Sequence, residues 1–353
     1  MKSRIIILLC LIFSVCYALD KNIYLSFIRE CLNSKDVTIK TEAIRAISYI
    51  GDKSSINKLK ELLNDPTDTI KIEASLALHK LGDNSGKDIL IKILKEKSIL
   101  SMKDSPVKRA KALAKNLNRA KAAKALGEIN AKSAIPILKE IAEDKNEDGR
   151  VIDESIISLI KLGDRSKINI FLAGLNSSEK SVKEKSCEVL GEVKEEKAKQ
   201  KLKELLSHWD KGVRAAACTA LGKIGDKESI KSIINLLSDK EDIVRMASAE
   251  SLGFLGDTSV IPHLKKTLDD PNGMVRLSAC ESLYKLGDNS GELFVISSLN
   301  ASDTDAKIKS IQIISDYKIK NSLEKLETLY QQEENQVIKI KIATGILNIT
   351  KGE

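Results

Sequence analysis

The chain has 353 residues, 31% of them charged and 3% aromatic, and its formal net charge is +8 at pH 7. Charges of both signs are interspersed, which is typical of a solvated helical surface rather than of a dedicated polyanion-binding protein. Because so few aromatic residues are present to stack on bases, the composition argues against a nucleic-acid partner.

The first 18 residues have the pattern of a secretory signal peptide. Residues 1–4 form a short basic segment, and residues 5–15 form an apolar run that is too short for an ordinary membrane span. Cys16 and Ala18 then place small residues where cleavage after Ala18 requires them. We therefore predict an exported protein, periplasmic or secreted. The alternative is lipid anchoring at Cys16, for which residues 13–15 provide a poor lipobox.

Beyond this segment, an apolar residue followed by Gly-Asp recurs along the chain. This three-residue motif occurs at 81–83, 162–164, 224–226, 255–257 and 286–288. A register of 31 residues runs through Gly163, Lys194, Gly225, Gly256, Gly287 and Lys318, and Gly51 and Gly82 are also 31 apart. A fixed period of this length indicates one supersecondary unit stacked many times.

The segment 225–255 shows what one unit contains. Asp226 can cap a first helix, whose apolar residues recur at helical spacing. A polar turn over 238–242 precedes a second helix, in which small residues such as Ala247 let neighbouring helices approach closely. Gly256 ends this helix, since glycine adopts the left-handed conformation without steric cost. The sequence therefore predicts an all-α protein, a right-handed α-solenoid of about ten stacked helical hairpins.

Three features of the unit point to a known family. Val-Arg opens the second helix at 213–214, 244–245 and 275–276, the middle of that helix is rich in alanine, and the unit closes with Leu-Gly-x-Ile-Gly-Asp at 221–226. The unit resembles the HEAT repeat, in the short form also found in phycobilisome-lyase-like proteins. The resemblance covers residues 20–350, and we expect a single repeat domain over 19–350 behind a signal peptide at 1–18.

The resemblance implies a ladder between repeats, formed by an aspartate of the turn and the basic residue six positions on. Pairs with this spacing are Asp65 with Lys71, Asp239 with Arg245, and Asp270 with Arg276. In the other units the aspartate is replaced by a different residue: Ser34, Leu113, Ser177, His208 or Ala301. The basic column consists of Lys40, Lys71, Arg119, Lys183, Arg214, Arg245, Arg276 and Lys307. We interpret the column as structural rather than as a nucleic-acid stripe, because no aromatic residues interleave with it.

Four cysteines follow the predicted signal peptide, and three of them share one position of the unit. Cys187 and Cys218 are 31 apart, Cys280 lies 62 beyond Cys218, and Ala249 fills the same position between them. A position shared by cysteine and alanine indicates a small buried site. We therefore expect these residues, and Cys31, to be free thiols rather than disulfides.

The third unit breaks the period, since it spans 82–129 and has 48 residues instead of 31. Its second helix is predicted to begin at Asp104 or Ser105, with Pro106 in the first turn, and to end by Leu126. Between 105 and 127 there are seven basic residues and no acidic one: Lys108, Arg109, Lys111, Lys115, Arg119, Lys121 and Lys124. An apolar stripe accompanies them: Val107, Ala110, Leu113, Leu117 and Ala120.

Such a basic amphipathic helix suits an acidic protein partner or an anionic lipid surface. Two of the five stripe residues are alanines, so the apolar face is weak, deep membrane insertion is not expected, and a membrane contact is the weaker option. The alternative is a long solenoid helix whose lysines are simply solvated. The seven basic residues are the partner-binding candidates of this segment.

The turn of the fourth unit resembles the start of a calcium loop. Asp144, Asn146 and Asp148 place oxygen atoms at alternate positions, and Gly149 follows at the sixth. The twelfth position, which should carry a bidentate glutamate, is Ser155. We therefore interpret the segment as a polar turn in which Asp148 caps the next helix, and we expect no metal and no cofactor.

Trp209 is the single tryptophan and lies in a turn where other units have Pro66 and Pro271. It can pack on the turn or anchor a partner, and packing is the preferred interpretation. The terminal units are atypical, as capping repeats are. The last one lacks the closing Gly-Asp.

Catalytic patterns are missing from the sequence. Deoxyhypusine hydroxylase, a HEAT-like enzyme, holds two irons with His-Glu pairs, whereas the three histidines here are followed by Lys80, Trp209 and Leu264. A Gly-rich phosphate loop, a nucleophile elbow and Cys-x-x-Cys are also absent. The sequence predicts an exported, monomeric, non-catalytic scaffold or adaptor that binds protein partners through its surface. The alternative is an enzyme or enzyme-accessory protein resembling lyase-like or hydroxylase-like HEAT proteins.

Overall fold

The structure is a computed structural model that describes residues 22–98 and 105–351. The predicted signal peptide and Cys16 lie outside these ranges. Within them all regular structure is helical, and no strand is present. No helix in the same ranges combines the length and the apolar character needed to cross a membrane.

Over residues 22–98 and 105–351, ten helical hairpins follow one another. The first helices are 22–31 (α1), Ile56–Leu62 (α3), Lys87–Lys95 (α5), Ile135–Glu143 (α7), Ile168–Gly174 (α9), Lys199–Leu205 (α11), Ile230–Leu236 (α13), Ile261–Thr267 (α15), Glu292–Ser297 (α17) and Leu323–Gln332 (α19). The second helices are Val37–Ile50 (α2), Asp68–Lys80 (α4), Pro106–Glu128 (α6), Gly149–Lys161 (α8), Lys180–Glu192 (α10), Lys211–Ile224 (α12), Asp242–Leu255 (α14), Gly273–Lys285 (α16), Thr304–Tyr317 (α18) and Gln336–Ile349 (α20). The prediction of an all-α solenoid of about ten hairpins is confirmed.

A residue in the left-handed backbone conformation terminates each second helix from α2 to α18, whereas α20 ends at Thr350 with φ −86°. Positive φ angles occur at Gly51, Gly82, Gly163, Gly225, Gly256 and Gly287. Asn130, Lys194 and Lys318 adopt the same conformation with φ between 51° and 53°. Lys194 and Lys318 are the two lysines that the 31-residue register includes. The turn is therefore fixed by its place in the repeat even where glycine is replaced, at some steric cost.

The aspartate after the register residue begins the next hairpin, usually through a short 3₁₀ turn. The Asp257 side chain accepts a hydrogen bond from the backbone N–H of Ser259 at 2.9 Å. Asp226 instead accepts from the Ser229 hydroxyl at 2.6 Å, and the α-helix begins only at Ile230. Asp226 thus stands at the N-cap position of the 3₁₀ segment Lys227–Ser229, and its side chain makes no capping hydrogen bond to a backbone N–H. The capping of the first helix expected from the sequence is not observed at this residue.

Successive second helices approach closely because a glycine of one faces a small residue of the next. These pairs are Gly191 with Ala220, Gly222 with Ser251, and Gly253 with Ser282. A Cβ added at Gly222 would lie 2.8 Å from the Cα of Ser251, which is too close for any side chain. The sequence argument identified the alanines of this helix as the small residues and missed the glycines.

Cys187, Cys218 and Cys280 lie on second helices, and Cys31 lies on the first helix α1. Cys31, Cys187, Cys218 and Cys280 are all buried and free, so the prediction of structural thiols is confirmed. Burial raises the pKa of Cys187, Cys218 and Cys280 to about 12 in each case. These thiols therefore remain protonated and unreactive at neutral pH.

The described residues group into two compact units. One contains those within Met1–Ser158 and Ile314–Glu353, and the other is Leu159–Ile313. This grouping does not decide whether 19–350 is a single domain, which stays a prediction.

In the first unit, the amino-terminal and carboxy-terminal hairpins pack against each other, with α2 against α20. Lys341 Nζ lies 2.5 Å from Glu42 Oε1, and the rings of Tyr24 and Tyr330 meet edge to face at 4.8 Å. The terminal hairpins thus cover one another, where the sequence suggested atypical units that end the array.

Candidate functional site

The second helix of the third hairpin is much longer than its counterparts. Helix α6 has 23 residues, whereas α4 has 13 and α12 has 14. The Ser105 hydroxyl accepts a hydrogen bond from the backbone N–H of Lys108 at 3.4 Å, and Pro106 occupies the first turn. Both features agree with the predicted start of this helix. The extra length lies at the amino-terminal end of α6.

The carboxy-terminal half of α6 is anchored in the protein by Arg119. Its NH1 and NH2 groups donate to Glu147 Oε1 and Oε2, each at 2.7 Å, and its Nε donates to the Leu94 carbonyl at 2.9 Å. The two charged side chains are each only 2% exposed. Arg119 therefore cannot contact a partner, and its assignment as a partner-binding residue is wrong.

Burial alone would raise the pKa of Glu147. The hydrogen bonds from Arg119 and from the Asp148 backbone N–H outweigh that effect, so the pKa lies below its usual value. Glu147 is therefore ionised at neutral pH, and the pair is a buried, bidentate salt bridge.

Asn116 completes this anchor and was not identified from the sequence. Its side chain is buried, and its amide donates to the Ser98 carbonyl at 3.0 Å and to Asp148 at 3.3 Å. Its Oδ1 accepts from Arg119 at 3.2 Å. The only signal in the sequence is its position, three residues before Arg119 on the same helical face.

Most of the amino-terminal half of α6 is exposed, and Ala112 and Asn116 are its buried residues. Val107 is 65% exposed, and Leu113 and Leu117 are also exposed large hydrophobic residues. Ala120, at the end of the predicted apolar stripe, is buried and belongs to the core. The stripe therefore divides into a solvent-facing part over 107–117 and a packed end.

The remaining basic candidates lie on the surface. Lys108, Arg109, Lys111, Lys121 and Lys124 are exposed. Lys115 is partly exposed and forms an ion pair with Glu96 at 3.1 Å. Of the seven basic residues proposed from the sequence, six can thus reach solvent, and they flank the apolar residues Val107, Leu113 and Leu117, which are 65%, 39% and 41% exposed.

The carboxylates of the calcium-like turn face cations of the chain itself. Asp144 lies 2.5 Å from Lys97 and accepts from the Asn146 backbone N–H, and Asp148 lies 2.6 Å from Arg150. The hydrogen bond from Lys97 lowers the pKa of Asp144, and that from Arg150 lowers the pKa of Asp148. Asp148 also accepts from the Arg150 backbone N–H at the start of α8, as expected for a cap.

No group of three histidine, cysteine, aspartate or glutamate residues in the described ranges could hold a metal ion. The histidines lie in separate hairpins. His79 contacts Asn84 at 2.9 Å, and His208 contacts Lys183 at 3.4 Å. His79 and His208 therefore each contact a neighbouring side chain, and the two do not form a common metal site.

The basic column joins consecutive hairpins. Arg214 donates twice to Asp239, with both distances 2.9 Å. Arg245 binds Asp270 in the same way at 2.7 and 3.0 Å. Each arginine also donates to backbone carbonyls of its own turn, such as that of Asp239 for Arg245 at 2.9 Å. The acidic partner is therefore the aspartate 25 residues later, and the one six residues earlier supplies its carbonyl.

Substitutions at the aspartate position alter single rungs of this ladder. Lys40 still pairs with Asp65 at 2.8 Å, whereas Lys183 meets the ring of His208. Arg276 has Ala301 at the corresponding position and instead lies over the Phe294 ring, 4.6 Å from its centre. The column is thus structural at these positions, and its charge is largely neutralised within the protein.

Trp209 does not pack on its turn. Its side chain is 78% exposed, and its nearest ring neighbour is His208, with ring centres 5.4 Å apart. The turn itself is held by Arg214, which donates to the Trp209 carbonyl at 3.0 Å. The preferred interpretation of Trp209 as a packing residue is wrong, and the alternative of a partner anchor remains.

Comparisons with known proteins agree with the repeat. Residues 25–103, 168–253 and 200–284 match the family described as HEAT repeats. Residues 119–144 match the PBS lyase HEAT-like repeat. No curated protein matches the chain.

Several solved structures are similar at low identity. Human deoxyhypusine hydroxylase in complex with glycerol is 16% identical over 76% of this chain and 98% of its own, with a TM-score of 0.33. The complex of CpcE and CpcF of phycocyanin lyase from Nostoc sp. PCC7120 is 19% identical over 74% of this chain and 94% of its own, with a TM-score of 0.33. Kap121p is 13% identical over 91% of this chain and 41% of its own, with a TM-score of 0.42. Similarities of this size assign no activity to this chain.

The HEAT-repeat match covers more than half of the 353 residues, and the structure contains the helical hairpins that such repeats form. The chain therefore belongs to the HEAT-repeat family.

Proposed function

We propose that this protein is a non-catalytic scaffold or adaptor that acts as a monomer and binds a protein partner through the amino-terminal half of α6. The observation that carries the proposal is the exposed apolar stripe of Val107, Leu113 and Leu117 on a helix surrounded by basic side chains. Contiguous exposed apolar surface with a polar rim marks an interaction site more often than a free surface.

The charge of α6 indicates the partner's chemistry. Lys108, Arg109 and Lys111 are exposed, and no acidic residue lies between 105 and 127. An acidic segment with apolar residues at helical spacing would complement both features and be steered to the site by charge. A protein is favoured over a lipid surface, because only three large apolar side chains are available for insertion. Trp209 is a second candidate contact, since exposed tryptophan is a frequent anchor in interfaces.

We expect the triple variant Lys108→Glu, Arg109→Glu and Lys111→Glu to lose partner binding by about 100-fold or more, because like charges then face an acidic surface. The measurement is affinity capture from the native host with tagged protein, quantified for each co-purifying protein. Leu113→Ser tests the apolar contribution separately. Deleting the segment is unsuitable, since α6 also carries the buried residues Asn116 and Arg119.

A matched control is the triple variant Lys53→Glu, Lys132→Glu and Lys231→Glu, which makes the same charge change at exposed positions on other hairpins. It should leave capture unchanged. Equal recovery with wild type and the α6 variant would remove α6 as the binding site. Loss of sedimentation with phosphatidylglycerol vesicles, with unchanged protein capture, would assign α6 to a membrane surface instead.

We also propose that the mature protein is exported, periplasmic or secreted, on the basis of residues 1–18. Mass spectrometry of the protein purified from fractionated cells should find an amino terminus near Leu19 in the exported fraction. A chain that begins at Met1 in the cytoplasmic fraction would contradict export, and a lipid-modified Cys16 would favour the anchored alternative.

The enzyme or enzyme-accessory alternative predicts a different composition of the purified protein. Stoichiometric iron or a bound chromophore, detected by metal analysis and absorbance, would contradict a non-catalytic scaffold.

A further inference from the structure

A groove of about 550 Å³ opens on the surface formed by α10, α12 and α14 in the second unit. Its floor is α12, where Ala216 and Thr219 face the opening. Its walls are side chains of the two flanking helices, with Glu184 on α10 and Met246 on α14. The volume lies within the range of about 300–1,000 Å³ that is usual for binding pockets.

The repeat explains why the groove is here. On each of the three helices, the groove is lined by residues at the same three positions of the 31-residue repeat. They are Ser181, Glu184 and Glu188 on α10; Gly212, Ala215 and Thr219 on α12; and Ile243, Met246 and Glu250 on α14. Only α12 has small side chains at all three, so the surface is depressed between two higher rows.

The groove is lined by three glutamates and by Lys185 and Lys223, so its charged groups sum to −1, and much of the remaining floor and of the α14 wall is apolar. Ile243 is an exposed large hydrophobic residue, and Met246 lies beside it, partly exposed. Ala216 is also partly exposed and presents only a methyl group. A ligand with an aliphatic portion would therefore bury that portion against α12 and α14.

The three glutamates of the groove differ in their partners: Glu184 and Glu188 lie on α10, and Glu250 lies on α14. Glu188 has Lys185 at 3.5 Å, and Glu250 accepts from the Ser278 hydroxyl at 2.9 Å. Among the residues that the structure describes, Glu184 has no such partner. Its Oε1 would lie 2.2 Å from a Cβ at Gly212, so the carboxylate occupies space that only glycine leaves free.

We infer that this groove binds a lysine or arginine side chain from an extended segment of a partner protein. The aliphatic stem would lie on Ala216 and Met246, and the cation would pair with Glu184. Lysine and arginine combine an apolar stem with a charged tip, which is the pattern that the floor and wall present. This surface uses no residue of α6 and has the opposite charge preference, so it goes beyond the function proposed above.

The test uses a fluorescein-labelled hexapeptide of alternating leucine and arginine, and the same peptide with glutamate in place of arginine. Binding to the full-length mature protein is followed by fluorescence anisotropy at about 0.15 M salt, where exposed long-range charge effects are screened. We expect the basic peptide to bind at least about ten-fold more tightly than the acidic one. Glu184→Gln should weaken binding of the basic peptide by about five- to ten-fold.

Ala216→Leu provides an independent variant, because it fills the groove from its floor without entering the core. It should abolish binding of the basic peptide. Glu204→Gln is the matched control, since Glu204 is an exposed glutamate on α11 that pairs with Lys201. Unchanged thermal unfolding of all three variants shows that the fold is retained.

Equal affinity for the two peptides, or unchanged affinity in Glu184→Gln and Ala216→Leu, would overturn the inference. Light scattering adds a further check. A dimer of the wild-type protein that Ala216→Leu converts to monomer would show that a second copy of the chain occupies the groove, which also overturns it.

Discussion

Arg119→Ala is expected to lower the free energy of unfolding by about 3–5 kcal/mol, the usual cost of leaving one member of a buried ion pair without its partner. The Glu147 side chain is 2% exposed and would keep its charge with neither Arg119 hydrogen bond. The Leu94 carbonyl would lose its donor as well. Urea denaturation followed by circular dichroism at pH 7 measures the loss.

The control is Arg109→Ala, an exposed arginine on the same helix, which should change stability by less than about 0.5 kcal/mol. The double variant Arg119→Met with Glu147→Met should recover much of the loss, because apolar residues of similar volume replace buried pairs well. A loss below about 1 kcal/mol in Arg119→Ala would mean that water reaches Glu147.

The same pair makes stability depend on pH in a defined direction. The pKa of Glu147 is lowered in the folded protein, so its contribution is complete above the unfolded-state pKa of about 4.3 and is lost as the pH falls through the folded-state value. The stability difference between wild type and Arg119→Ala should therefore shrink in acid.

The sequence contained enough to place Arg119 correctly. It stands in the basic column with Arg214 and Arg245, whose ladder pairs hold hairpins together. Its place among the basic residues of an acid-free helix suggests a surface role, but charge content alone does not tell which helical face a residue occupies. Position in the repeat carries packing information that charge content lacks, so the register was the better guide.

Helix order and helix ends were predictable because they depend on local chemistry. Gly256 ends α14 and Ser105 begins α6, each through interactions within a few residues. The contact of α2 with α20 was not predictable, because no local pattern records which distant hairpins meet. The exposure of Trp209 was missed for a related reason: a turn position does not say whether a neighbouring hairpin covers the ring.

The groove also depends on a comparison between repeats rather than on a motif. Gly212 and Thr219 are unremarkable in one helix, and they become a depression only beside Ile243 and Glu250 at equivalent positions of α14. Aligning the units by their 31-residue register would have shown this difference in side-chain size. Which of its glutamates has no partner among the described residues depends on side-chain geometry that the repeat pattern does not record.

Gly222→Ala should destabilise the protein by about 1–3 kcal/mol, the cost of forcing atoms into a filled contact. The sign of this stability change is informative, because replacing glycine by alanine within an ordinary helix stabilises the protein by about 1 kcal/mol. Here the added Cβ would lie 2.8 Å from Ser251 Cα, so α12 and α14 must move apart along their packed face. Thermal unfolding of the purified variant measures the change, and Gly222→Val should cost more than Gly222→Ala.

Gly149→Ala is the matched control, because a Cβ at this position in the first turn of α8 meets no atom within 4 Å. It should leave stability unchanged or raise it by up to about 1 kcal/mol. If Gly222→Ala were stabilising to the same extent, the close approach of α12 and α14 would not be a requirement of the fold. Stability changes of opposite sign for Gly222→Ala and Gly149→Ala would instead show that contact between repeats requires glycine at 222. Both sites are helical, and they differ in the atoms that lie beside them.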